Sequence, residues 1–71
     1  MALTETEKTL ARVACEEAFQ RDIAGTFTSL ALNLSLAATD EERQAAVQKA
    51  ERGVATSADL LRRMLKIVDG G

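Results

Sequence analysis

One thiol, two carboxylates beside it and a basic cluster towards the C-terminus are the groups in this chain that could do chemistry. Cys15 is followed directly by Glu16 and Glu17. A nucleophilic cysteine needs a nearby base or a helix N-terminus to hold it as thiolate, and neither stands beside Cys15. No histidine occurs anywhere in the 71 residues. That removes the usual acid–base group near neutral pH. Ser-His-Asp and Cys-His catalysis, histidine phosphotransfer and Cys/His zinc sites go with it. Neighbours on a helix point about 100° apart, so Glu16 and Glu17 are not a paired-carboxylate site. The glycines, at 25, 53, 70 and 71, are scattered and form no phosphate loop. No carboxylate repeats along an apolar face. No enzymatic activity, cofactor or metal is expected, and Cys15 reads as a small buried residue.

The basic cluster is the second chemical feature. Residues 1–42 carry three basic and eight acidic side chains, a net of −5, whereas residues 43–71 carry six and three, a net of +3. Lys49, Arg52, Arg62, Arg63 and Lys66 would give the second half of the chain a basic outer surface. Such a surface can contact phosphates of RNA or DNA. It equally suits a solvated helix face that complements an acidic neighbour and its own C-terminal dipole. The whole chain is acidic and has no Trp or Tyr to stack on bases, so the solvated face is the leading reading and a dimeric nucleic-acid-binding regulator the second.

The elements that hold these groups are helical by composition. Proline is absent and Ala, Leu, Glu and Arg dominate; these residues lose least side-chain freedom in a helix. Thr4 with Glu7, and Thr39 with Glu42, have the spacing of a capping box. Asp40, Glu41 and Glu42 stand where a helix N-terminus favours acids. Gly70 and Gly71 form a stop signal. One helical domain over residues 1–71 is expected, with helix 1 at about 4–37, a turn at 38–40 and helix 2 at about 40–69.

On helix 2, Val47, Ala50, Val54, Ser57, Leu61, Met64 and Val68 follow the three-four spacing of a packed seam. On helix 1, Phe19, Ile23, Phe27, Leu30, Leu34 and Ala37 make one stripe, while Leu3, Leu10, Ala11, Ala14 and Ala18 lie on another side. Asp59 with Arg63, and Glu17 with Arg21, have the spacing of ion pairs. Gly25 in mid-helix marks a close crossing, a bend, or simply a tolerated glycine. Two other architectures fit the chain: a three-helix bundle with a break near Gly53, where Thr56 and Asp59 suggest a further cap, and a single rod running through Thr39.

Leucines alternate in "SLALNLSLA", residues 29–37. Read as a strand, the segment has no partner for its backbone groups. Read as a membrane span, Ile23–Thr39 offers 17 uncharged residues, but its flanks are acidic and hydroxyls interrupt it. Read as a helix, it places Leu30 and Leu34 on one side and Leu32 and Leu36 nearly opposite.

A chain this short buries a modest core and commonly needs a partner to become stable. The fold class expected is all-α: a two-helix antiparallel hairpin, pairing into a four-helix bundle as a homodimer. The expected partner interface is Gly25, Ser29, Leu32 and Leu36, flanked by Leu60 and Ile67. The partner is a second copy, a helical protein client, or both, and no membrane is involved. These features describe a small interaction protein, an adaptor, regulator or chaperone subunit. The lone cysteine and the absence of a basic segment followed by an apolar run suit a cytoplasmic location.

Overall fold

A computed structural model describes residues 2–70. The chain folds into two helices, α1 (Glu5–Leu36) and α2 (Asp40–Gly70), which run antiparallel and pack along their length. Met1 and Gly71, the ends of the expected domain, lie outside the described residues; Gly71 is also the second glycine of the expected stop signal.

Local chemistry sets the helix ends. The Thr4 hydroxyl accepts from the Glu7 backbone N–H at 3.1 Å, and the Glu7 carboxylate accepts from the Thr4 N–H at 2.8 Å. Both arms of the capping box are therefore present. Helix α1 stops at Leu36 because Ala37 turns extended (φ −70°, ψ 128°) and its N–H folds back to the Leu34 carbonyl at 3.3 Å. At the start of α2 the Thr39 hydroxyl accepts from the Glu42 N–H at 3.1 Å. Here the reciprocal arm differs from the expected box: Glu42 reaches the N–H of Ala38, also at 3.1 Å.

Both rival architectures are ruled out. Helix α2 passes unbroken through Gly53, so no third helix forms, and the backbone reverses at residues 37–39, so there is no rod. Gly70 is the last residue of α2 and is itself helical. The alternating leucines belong to α1 throughout. Their polar neighbours fit because the hydroxyls of Thr26, Thr28 and Ser35 donate to carbonyls one turn back, at 3.0, 2.8 and 2.9 Å. No described helix is long and apolar enough to cross a membrane.

The seam between the helices differs from the expected one in two places. On α2, Ala46 takes the place assigned to Val47, which stays 40% exposed. A straight helix drifts about 20° per heptad against a seven-residue repeat. A row centred on Val68 has therefore swung about 60° by Val47, three heptads away. On α1, Cys15, Phe19, Thr26, Leu30, Asn33 and Ala37 are at least half-buried, while Phe27 is 54% exposed. Thr26 and Asn33 face the partner helix, and the neighbouring Phe27 and Leu34 are thereby turned outwards. Leu10 is also exposed.

Of the two mid-helix glycines, Gly53 is the one that meets the other helix. A β-carbon there would stand 3.2 Å from the Thr26 methyl, whereas one at Gly25 would meet nothing within 4 Å. The close crossing considered for Gly25 is thus made by Gly53. At the open end Arg12 pairs with Asp69. Thr26 beside Gly53 and Arg12 beside Asp69 fix the register: residues at one level have numbers that add to about 80.

Candidate interaction surface

The hairpin is a single layer. Its Cα atoms span 54 × 15 × 11 Å, with a radius of gyration of 16.3 Å; a globule of this length has about 11 Å. A domain normally needs two layers to enclose a core. Accordingly the apolar residues that are buried are small or medium: Cys15, Ala46, Ala50 and Val68. Among the described residues no large side chain is fully buried, and Leu10, Val13, Phe27, Leu32, Leu36 and Ile67 are among those exposed.

The two broad sides of this layer differ. One is an open groove lined by Gly25, Ser29, Asn33, Lys49, Gly53 and Thr56, with Leu30, Ala46 and Ala50 of the seam at its base, so its floor is mostly small side chains. Of the expected interface, Gly25 and Ser29 lie in this groove. Leu36, 72% exposed, stands at its turn end beside Glu42 and Lys49, and Leu32 precedes it by one turn. Leu60 and Ile67 are exposed too, but towards the open end. By the register above, Leu60 is level with about residue 20 of α1, some 18 Å from Leu32 along the axis at 1.5 Å per residue. The four residues of α1 thus lie towards the turn and Leu60 and Ile67 towards the open end, on the side of Gly53, which they follow at seven-residue spacing.

The opposite side was not recognised from the sequence. Phe27, Val47 and Val54 each lie two residues, about 200°, from a groove residue (Gly25, Lys49 and Thr56). They therefore face away from the groove. On α1 the seven-residue row Val13, Gln20, Phe27 and Leu34 runs along this side, beside Ile23, with the exposed Glu16 between Val13 and Gln20. On α2 it is met by Val47, Val54 and Leu61 and by Ala58 and Leu65. Val13, Phe27, Leu34 and Val47 are the exposed large members. Assigning Phe27, Leu34 and Val47 to the intrachain seam hid this face; the polar Thr26 and Asn33 within the seam were the available signal.

Charged groups decorate the edges. Lys49, Arg52, Arg62, Arg63 and Lys66 are all exposed on α2. Asp59 sits among them and pairs with Arg63 at 3.0 Å and Arg62 at 3.5 Å. The Asp59–Arg63 pair is the one the spacing suggested; Glu17 and Arg21 do not pair, and Arg21 lines the groove instead. The Asp69 carboxylate, by hydrogen bond and charge, raises the Arg12 pKa further above its ordinary value. Hydrogen bonds from the backbone and side chain of Thr4 lower that of Glu7. No group of acidic, cysteine or histidine side chains that could hold a metal ion is found among the described residues. Comparison of the chain with protein-family models, curated proteins and solved structures finds no match.

Proposed function

We propose that this chain is a small non-enzymatic interaction protein, of the adaptor, regulator or chaperone-subunit kind, that works by offering an apolar helix face to another helical surface. One observation carries the reading: the hairpin buries alanines and a cysteine between its helices and leaves Phe27, Leu34, Val47 and Val13 outside. Fully burying one large apolar side chain contributes about 1.5–3 kcal/mol, and these four, each 37–54% exposed, leave part of that gain unrealised in the hairpin alone. Contiguous apolar surface of this kind is rare on a solitary soluble monomer and marks an interaction site. An amphipathic helix or helix pair laid along the face would complete the second layer.

Site-specific photo-crosslinking in the native cell tests the proposal. A benzophenone side chain at Phe27 or Leu34 should join the chain to protein, its own copy or another, and one at the outward Gln48 should not. Absence of any protein adduct from both face positions, in a chain that remains helical, would overturn it.

A further inference from the structure

Resting on that reading, we infer that the apolar face is covered by a second copy of this chain, laid across it antiparallel about a two-fold axis passing beside Ile23 and Ala24 of α1.

The first support is area. A folded 7.6 kDa chain exposes about 4,300 Å² by the surface–mass relation. This chain exposes 5469 Å², an excess of about 1,200 Å². Removing that excess from two copies buries about 2,400 Å² in total, within the range of obligate homodimers. The face extends along a layer 54 Å long. Only an occupant of similar length can cover it, and a second hairpin has that length.

The second support is self-complementarity. In a two-fold contact, residue i meets residue j and j meets i. An axis at the level of Ile23 sets Leu34 over Val13 of the second copy, and Val13 over its Leu34. By the register between the helices, the same axis falls between Val54 and Ala58 on α2. It sets Val47 over Leu65 of the second copy and Val54 over its Ala58. Phe27 then lies over the aliphatic stem of Gln20. Glu51, which has no ion pair among the described residues, comes level with Arg62 of the second copy, on the rim of the face. One axis thus serves both helices: Leu34 on Val13, Val47 on Leu65 and Val54 on Ala58 put apolar on apolar, Glu16 falls over Ala31 of the second copy, and Glu51 meets Arg62 at the edge. On the groove side the same axis pairs no two large apolar residues: it sets Leu36 over Ala11 and Leu60 over Gly53 of the second copy.

Two measurements on the full chain test the inference. Sedimentation should give twice 7.6 kDa at micromolar concentration, and Phe27→Asp with Leu34→Asp should return it to the monomer mass. Because those substitutions could also unfold the chain, disulfide trapping supplies the second measurement. In a Cys15→Ala background, Val13→Cys with Leu34→Cys should oxidise to a covalent dimer. Either cysteine alone should not, since the same residue on the second copy is then about 30 Å away at 1.5 Å per residue. A helical wild-type monomer would overturn the second copy as occupant and leave the interaction reading to the photo-crosslinking test. A dimer trapped through Leu32→Cys and Leu60→Cys, and not through positions 13 and 34, would overturn the choice of face.

Discussion

Arg12 of α1 and Asp69 of α2, separated by 57 residues, are joined through one carboxylate oxygen that accepts from both Nε and Nη2 of the guanidinium, the Nε contact being 3.0 Å. The pair closes the open end of the hairpin, farthest from the turn, where nothing covalent holds the helices together. Both side chains remain about half exposed, so the contact sets register and limits fraying rather than supplying the main cohesion.

Arg12→Ala should therefore raise amide hydrogen exchange in the last two turns of α2 while leaving residues near the turn unchanged. The charge reversal Arg12→Asp with Asp69→Arg should restore protection that either reversal alone removes. Equal loss of protection along the whole helix would show that the pair supports the entire hairpin.

Cys15 lies one turn beyond Arg12 and is 7% exposed. A thiol reagent should react with it slowly, at a rate set by opening of the helix pair, and Arg12→Ala should speed that reaction. Labelling as fast as that of an unfolded peptide would contradict its burial.

The two mid-helix glycines should respond in opposite ways to alanine. Gly25→Ala meets open space and should stabilise the chain by about 0.5–1 kcal/mol, the ordinary helix preference. Gly53→Ala pushes a carbon to 3.2 Å from the Thr26 methyl, so it should show less gain or a loss. Thr26→Ala should restore the difference, read as a positive coupling in a double-mutant cycle of urea midpoints.

The first turn of α1 should depend on acid. Hydrogen bonding to Thr4 depresses the Glu7 pKa in the folded chain below its ordinary value of 4.5. The unfolded chain therefore takes up the proton first as pH falls. The stabilisation is fully present above about pH 4.5 and is lost as pH falls through the depressed folded value. Exchange of the Glu7 amide should rise over that acidic window, and Glu7→Gln should flatten the response.

The basic side of α2 should not retard RNA or duplex DNA, because Asp59 divides it and pairs with both Arg62 and Arg63. A salt-dependent shift lost on Arg62→Ala, Arg63→Ala and Lys66→Ala would transfer the working surface to that side.

Much of this was legible in the chain itself. Threonine–glutamate spacing marked both helix starts, since an N-cap needs only residues three apart. The 3.6-residue period and the lack of any strand partner made the alternating leucines helical. The absence of histidine narrowed the chemistry before any geometry was known. These are short-range or compositional properties, and each was legible without knowing where the other helix lies.

What only the tertiary structure decided was the phase of each helix against the other. Val47 and Ala46 differ by a single step of about 100°, and both fit a seam when read alone. The choice between them depends on helix drift over three heptads and on Gly53 lying against Thr26 of α1. Once that phase was set, Phe27, Leu34 and Val47 turned outwards together, and residues that had read as the inside of a hairpin became exposed surface.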